Sequence, residues 1–159
     1  MTNPYAVHLA KRDPIAVLSD TPERVRNVVS GKSRQQLEQP LAPGKWNRKE
    51  ILCHLADCEI AFGFRLRQAM AEAKHVIQPF DQNLWAQEYP ALEAHDALEA
   101  FCASRAWNLA LIRTLSEDEM RKRLVHPERG EMDILGLIET FAGHDLNHLK
   151  QLESAGGPD

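Results

Sequence analysis

The chain has 159 residues, of which 43% are hydrophobic and 26% are charged, so its composition is that of an ordinary globular protein. Nineteen basic and 23 acidic side chains give a formal net charge of −4, which argues against a broad basic surface for nucleic acid. No apolar run approaches the roughly 20 residues that a membrane-spanning helix needs, so no membrane partner is expected. We expect a cytoplasmic protein whose three cysteines are reduced.

Two proline-containing pairs near the start of the chain predict helix starts. Asp13–Pro14 and Thr21–Pro22 each have the pattern of an N-cap followed by proline at the first helical position. Gly31 is placed to close the segment that begins at the second pair. A short helical turn is expected after Ser33, before a proline-rich loop.

A long helix is predicted from Asn47 to about Ala73, because Asn47 and Glu50 have the spacing of a capping box. Apolar residues one turn apart form its core stripe, and His54 lies on the flank of that stripe. The stripe consists of Ile51, Leu55, Cys58, Phe62 and Leu66. A long irregular connection over 74–92 follows, and connections of this length in compact domains are often functional.

Two further helices complete the predicted fold. The third runs from about Glu93 to Leu115, and the last from about Asp133 to Ser154. The segment "HPERG" from His126 to Gly130 is predicted as a turn, and strand-like alternation is nearly absent from the sequence. Four substantial helices with long connections predict an all-α four-helix bundle with crossovers, in a single domain over residues 1–159.

The last predicted helix directs two histidines toward the protein interior. At about 100° per residue, His144 and His148 fall in the same sector as Phe141 and Leu152. Side chains four residues apart lie one turn apart on one face, so both imidazoles can reach one metal ion. Two imidazoles leave the coordination incomplete, and His54 is the best candidate for a third ligand, because it borders the core stripe of another helix.

The residues alone leave two alternatives to this metal site. Core histidines satisfied by hydrogen bonds would give the same pattern. A closed structural zinc site would add Cys58, which lies one turn beyond His54. Because Cys58 belongs to the apolar stripe, a small buried side chain is the favoured interpretation for it.

Two carboxylates are candidates to orient the histidines. Asp57 lies about one turn from His54, and Asp145 is adjacent to His144. Metal-ligating histidines usually donate their second ring N–H to such groups. An ordinary cap, salt bridge or solvated position would also account for either carboxylate.

Three further residues are candidates for the substrate side of the site. Arg65 is on the same line of its helix as His54 and could hold a substrate carboxylate, although it could equally pair with an acidic neighbour. Asp81 and Trp85 lie on the long connection and could cover the metal. A tryptophan in such a position is more often a packing residue.

Two segments of the chain resemble the signature segments of the DinB-like superfamily. They are "PGKWNRKEILCHLADCE" at Pro43–Glu59 and "FAGHDLNHLKQLE" at Phe141–Glu153, and other similar segments extend the resemblance over most of the chain. The resemblance implies a metal-binding four-helix bundle and places the family's metal triad on His54, His144 and His148. It also implies frequent dimerisation, so we expect a homodimer.

Three neutral histidines leave a coordination position open, which is typical of catalytic metal sites. Such a site can support hydrolysis or, as the resemblance favours, transfer of a low-molecular-weight thiol cosubstrate. We therefore expect a metal-dependent enzyme of the thiol transferase or hydrolase type that acts on small electrophilic molecules. Zinc and nickel are the expected ions, with iron and manganese as further candidates. The alternative function is a non-enzymatic bundle with a structural or stress-related binding role.

Overall fold

The computed structural model describes residues 3–154, and four long helices dominate it. In chain order the helices are α1 (Ala6–Leu9), α2 (Pro14–Val29), α3 (Arg34–Glu38), α4 (Arg48–Ala71), α5 (Gln82–Trp85), α6 (Ala94–Ile112), α7 (Glu117–Met120) and α8 (Ile134–Ser154). A 3₁₀ helix at Ala86–Ala91 follows α5. The predicted all-α four-helix bundle is confirmed, and the long connections carry the short helices.

The bundle is closed by contacts between its long helices. Helix α4 packs against α6 and α8, and α2 packs against the same two helices. Phe62 of α4 stacks on Phe141 of α8 with ring centroids 4.0 Å apart. Burying a large apolar side chain of this kind contributes about 1.5–3 kcal/mol, so these interfaces hold α4 and α8 side by side. None of the helices within 3–154 has the length and apolar character needed to cross a bilayer.

Three predicted helix starts are confirmed by their capping contacts. The Asp13 carboxylate accepts a hydrogen bond from the Ile15 backbone N–H, and Pro14 begins α2. Asn47 forms a reciprocal capping box with Glu50 at the start of α4, and Ser33 begins α3 in the same way. These contacts satisfy backbone N–H groups that have no partner within the helix.

The predicted helix start at Thr21–Pro22 is wrong, because α2 continues through Pro22. Proline has no N–H, so the Leu18 carbonyl one turn earlier loses its helical partner. The Arg105 guanidinium donates to that carbonyl at 2.9 Å and replaces the missing bond. Thr21 does not cap a helix; its hydroxyl donates to the Val17 carbonyl at 2.8 Å.

A small three-stranded sheet lies beside the bundle and was not predicted. Its strands are β1 (His75–Val76), β2 (Arg123–His126) and β3 (Gly130–Asp133). Strand β1 pairs parallel to β2, and β2 pairs antiparallel to β3. The predicted "HPERG" turn joins β2 to β3, and Gly130 has a φ of 78° that favours glycine. Strands of two to four residues are too short to show a clear alternation.

A buried ionic cluster connects the four long helices. Arg105 of α6 pairs with Glu59 of α4 and Asp145 of α8, in addition to its bond to the Leu18 carbonyl of α2. The Arg105 Nη1 to Asp145 Oδ2 distance is 2.7 Å, and both carboxylates are buried. This cluster fixes the position of α8 at the residue next to His144.

Candidate metal centre

The structure brings together the three histidines that the sequence analysis selected. His54 of α4 and His144 of α8 face each other with their Nε2 atoms 3.0 Å apart. The His148 ring centroid lies 4.8 Å from that of His54 and 4.5 Å from that of His144. All three side chains are buried.

Burial keeps these imidazoles neutral. Desolvation lowers the pKa of His54 to about 3, with a smaller contribution from His148. Desolvation also lowers the pKa of His144 well below its ordinary value, and it lowers that of His148 even though Gln151 acts in the opposite direction. A neutral imidazole has a ring nitrogen with a free lone pair, which is the form that binds metal ions.

Neighbouring side chains orient the histidine rings. The Nδ1 of His148 lies 2.9 Å from Oε1 of Gln151, and because an amide oxygen only accepts, this places the ring proton on Nδ1. The lone pair of His148 is then on Nε2. Trp46 packs on His54 with centroids 4.9 Å apart, and Tyr5 approaches His144 edge-on at 5.3 Å.

The donor set fits a divalent cation. Two nitrogens that each lie about 2.1 Å from one ion are separated by about 3.0–3.4 Å in the usual coordination geometries. The His54 to His144 separation is within that interval. The buried Nδ1 of His144 has no hydrogen-bond partner among the described residues. Nδ1 is not the atom that faces His54, so this unpaired nitrogen does not distinguish a metal ion at Nε2 from a hydrogen bond between the two Nε2 atoms.

Cys58 lies closer to this cluster than a simple packing role requires. Its Sγ is 3.5 Å from Nε2 of His54 and 3.9 Å from Nε2 of His144. Among the described residues, the group whose possible ligand atoms all lie within 4.8 Å of one another consists of His54, Cys58 and His144, and it does not include His148. Burial raises the pKa of the Cys58 thiol far above its ordinary value, so it is a neutral thiol. Because the Cys58 sulfur lies this close to both imidazoles, a ligand set that includes Cys58 stays open as the alternative.

The two carboxylates expected to orient the histidines have other partners. Asp57 accepts a hydrogen bond from the Tyr89 hydroxyl at 2.9 Å, which ties the 3₁₀ helix to α4. Both Asp145 oxygens accept from Arg105. Within residues 3–154, neither carboxylate is hydrogen-bonded to a histidine of the cluster. Asp145 instead acts through α8, because it anchors the helix beside His144.

The candidates on the connection after α4 differ in their placement. Asp81 is exposed, and its carboxylate caps α5 by accepting from the N–H groups of Asn83 and Leu84. Trp85 packs on Phe80 with centroids 4.5 Å apart, so it is a packing residue of this segment. Neither Asp81 nor Trp85 lines the cavities at the histidines.

Arg65 is the candidate that reaches the site. Its guanidinium donates to the Gln78 carbonyl at 3.1 Å and lies 5.4 Å from the centre of the Phe80 ring. It lines a cavity together with His54, Cys58 and His144. The alternative pairing of Arg65 with an acidic neighbour does not occur within the described part of the chain.

Two cavities border the histidine cluster. A cavity of about 180 Å³ contains Arg65, Arg129 and His144 in its wall. A second cavity of about 520 Å³ includes His148 and polar side chains in its wall. These polar side chains are Lys45, Asn83, Asn147 and Gln151. Tyr5, His54 and Gln82 line both cavities, so the two cavities adjoin at these residues.

The sequence analysis missed several residues of this site. Gln151 could have been found, because a residue three positions after His148 lies on the same helix face. Tyr5 and Arg129 come from the N-terminal segment and from the turn between β2 and β3. No local sequence pattern connects either residue to the histidines, so only the folded chain reveals them.

The fold and the histidine cluster define a helical bundle protein with a candidate metal centre. Comparison with known protein families identifies a family with this fold. The family model of the DinB superfamily matches residues 18–152. The chain therefore belongs to the DinB superfamily, as its two signature-like segments predicted.

Two curated relatives share most of their length with this chain. OB0782 of Oceanobacillus iheyensis is 30% identical over 141 residues, which cover 86% of this chain and 80% of the relative. YfiT of Bacillus subtilis is 24% identical over 144 residues, with coverage of 87% and 81%. Both are named as candidate metal-dependent hydrolases.

Two solved structures have the same fold. The structure of YfiT from Bacillus subtilis superposes with a TM-score of 0.84 at 21% identity, and the match covers 89% of this chain and 83% of YfiT. It is described as "a probable metal-dependent hydrolase with an unusual four-helix bundle topology". TT2238, described as a four-helix bundle protein, gives a TM-score of 0.66 at 20% identity, with coverage of 89% and 96%.

Proposed function

We propose that this protein is a metal-dependent hydrolase of small molecules in which His54, His144 and His148 hold a divalent ion. The observation that carries the proposal is the 3.0 Å approach of two desolvated Nε2 atoms from separate helices. The names of the relatives OB0782 and YfiT support the same reaction class.

Each part of the proposed site has a chemical role. When bound, the ion supplies Lewis acidity, which stabilises the deprotonated form of a water or thiol nucleophile. The three neutral imidazoles provide lone pairs, and Gln151 holds the His148 ring in its orientation. The rings of Trp46 and Tyr5 shield the imidazoles from bulk water on two sides. Zinc and nickel suit an imidazole donor set, and iron and manganese are the next candidates.

A second candidate reaction is the transfer of a low-molecular-weight thiol to an electrophile. The presence of two cavities that share His54 in their walls favours it, because a transferase has to place two organic molecules at one centre. The larger cavity has amide and ammonium groups suited to a polar thiol. The smaller cavity would then hold the electrophile.

Elemental analysis and an activity screen of untagged protein test these proposals together. We expect about one equivalent of zinc or nickel per chain after purification, and loss of that metal in His54→Ala. An exposed histidine provides the matched control, so His95→Ala should keep its metal. Turnover of small esters or amides without thiol would support hydrolysis, and turnover only with thiol would support transfer. Wild-type protein that binds no ion at micromolar concentrations would contradict both.

We also propose that the protein forms a homodimer and that it is located in the cytoplasm. Ile60 and Phe64 are 58% and 56% exposed and lie one turn apart on α4, and Trp107 of α6 is 70% exposed. Trp107 also lines an apolar groove between α4 and α6. A partner copy on this face would bury these side chains, and Phe64→Glu should then yield monomers in sedimentation experiments.

A further inference from the structure

Two arginines from different parts of the chain face the smaller cavity at the histidine cluster. Arg65 belongs to α4, and Arg129 belongs to the turn between β2 and β3. Both residues are partly buried. The same cavity wall contains His54, Cys58 and His144, so the two arginines and the candidate metal ligands border one space.

Neither guanidinium is neutralised by a carboxylate. In the part of the chain that the structure describes, no carboxylate oxygen lies within 4.0 Å of either group. Among the residues that the structure describes, the contacts of the Arg65 guanidinium are the Gln78 carbonyl and the Phe80 ring. Arginines elsewhere on the protein do form ion pairs, for example Arg26 with Glu99 and Arg34 with Glu38.

The charges that line this cavity do not balance. The wall contains two guanidinium groups and one carboxylate, that of the exposed Glu128. Burial lowers the pKa of Arg65, and the nearby charge of Arg129 lowers it further. Burial and the same two arginines also lower the pKa of His126, so this histidine adds no charge at neutral pH. Arginine remains protonated in proteins, so the cavity carries an excess positive charge.

We infer that Arg65 and Arg129 bind an anionic oxygen group, a carboxylate or a phosphate, on the small-molecule substrate of the proposed enzyme. The planar donor fork of arginine matches both groups and forms strong charge-assisted hydrogen bonds with them. The inference rests on the proposed function, because it places the reactive bond of the substrate at His54 and His144. It deepens that function by naming the chemical class of the substrate.

The size of the cavity limits this substrate further. Sites for drug-sized ligands have volumes of about 300–1,000 Å³, whereas this cavity has about 180 Å³. A compact molecule fits, with the anionic group a few bonds from the bond that reacts. A small carboxylic acid or phosphate ester has these properties.

Binding of simple anions to the metal-free protein tests the inference without interference from metal chelation. The probes are propionate, methyl phosphate and the neutral amide propionamide. Their binding is measured by the changes in the NMR chemical shifts of the backbone amides in β2 and β3. We expect saturable binding of at least one anion and none of propionamide. The anion that binds more tightly assigns the carboxylate or phosphate class. Arg65→Gln and Arg129→Gln should each weaken this binding by at least about tenfold.

Matched variants control for charge and folding. Arg121→Gln removes an exposed arginine of the segment after α7 and should leave anion affinity unchanged. Arg65→Lys and Arg129→Lys keep the charge and should retain part of the affinity, with melting temperatures near that of the wild type. Equal anion affinity in the wild type and the Arg65→Gln/Arg129→Gln double variant would overturn the inference, as would the absence of saturable binding of either anion.

Metal content measured on the same proteins separates this inference from the proposed function. A double variant that keeps its metal and loses the anion would support a separate anion subsite. If only the anion-binding inference is wrong, the wild-type protein will hold metal stoichiometrically but bind neither anion. If only the proposed metal-dependent function is wrong, the wild-type protein will bind the anion but no metal.

Discussion

The Nε2 atoms of His54 and His144 lie 3.0 Å apart, although the two residues are separated by 90 positions in the sequence. Two buried, neutral imidazoles in this arrangement present their donor atoms to one shared point. His148 stands beside them with its ring oriented by Gln151.

The substitution His148→Ala should abolish stoichiometric metal binding and leave most of the helix content. The imidazole supplies the third proposed ligand, whereas α8 keeps its other apolar contacts, so the bundle should persist. Metal content by mass spectrometry and helicity by circular dichroism measure the two effects. His95→Ala, at an exposed position, is the control and should behave as the wild type. Wild-type metal content in His148→Ala would remove His148 from the ligand set.

The stability of the metal-free protein should fall as the pH decreases from 6.5 toward about 3. In the unfolded chain, His54 protonates near its ordinary pKa of 6.5, whereas in the folded protein its pKa is about 3. Between these values the unfolded state binds a proton that the folded state excludes, so acid favours unfolding. His144 and His148 act in the same direction. Urea denaturation at a series of pH values measures the effect.

The variant His54→Gln isolates the histidine contribution to this pH dependence. Burial raises the pKa of Glu59, which gives a stability change of the opposite sign. Both proteins share that contribution, so the wild type should lose more stability on acidification than His54→Gln. Identical slopes for the two proteins would show that His54 is not desolvated in the fold.

The substitution Arg105→Met should destabilise the protein by about 3–5 kcal/mol, because it leaves two buried carboxylates without their cation. Glu59 and Asp145 both depend on Arg105, and the Leu18 carbonyl loses its donor as well. Chemical denaturation gives the change in the free energy of unfolding. Arg113→Met, which removes an exposed arginine with a bond to Ser19, should have an effect below about 1 kcal/mol. A small effect of Arg105→Met would show that the cluster does not support the bundle.

The substitution Gly143→Ala should displace the N-terminal segment from the metal centre. A Cβ atom at position 143 would lie 2.5 Å from the Tyr5 backbone oxygen, a distance at which one of the two segments has to move. Because Tyr5 packs edge-on against His144, we expect higher solvent access at the cluster, measured by hydrogen exchange of the α1 segment. In Gly136→Ala the new Cβ would meet an Asp133 side-chain oxygen at 3.2 Å and the Met132 Cβ at 3.8 Å, so the effect should be smaller. Unchanged exchange in Gly143→Ala would contradict the close approach.

Local sequence signals were sufficient for the starts of α2, α3 and α4 and for the pairing of His144 with His148 on one helix face. The capping box at Asn47 and Glu50 fixed the start of α4, because its contacts lie within four residues. The i, i+4 spacing of His144 and His148 placed both on the inner face of one helix. The resemblance to the DinB-like superfamily then placed the metal triad on the same residues. The structure brings the three rings into contact, and their role as metal ligands stays a prediction.

The remaining features depend on contacts between distant segments. Pro22 was predicted to begin a helix because the donor that replaces its missing N–H, Arg105, is 87 positions from the Leu18 carbonyl. Asp145 was expected to orient His144, yet a buried arginine on another helix takes both of its oxygens. The contact of Cys58 with the imidazoles depends on how α4 and α8 pack. Helix periodicity predicts which face of a helix a residue lies on, but not which residues of another helix it contacts.

X-ray absorption spectroscopy of the metal-loaded, untagged protein identifies the atoms that bind the ion. The account predicts one ion per chain with a shell of nitrogen and oxygen neighbours at about 2.0–2.2 Å and the multiple-scattering pattern of imidazole. The spectrum of Cys58→Ala should be the same. A sulfur neighbour at about 2.3 Å that disappears in Cys58→Ala would contradict the three-histidine site and support a closed structural site that includes the thiol.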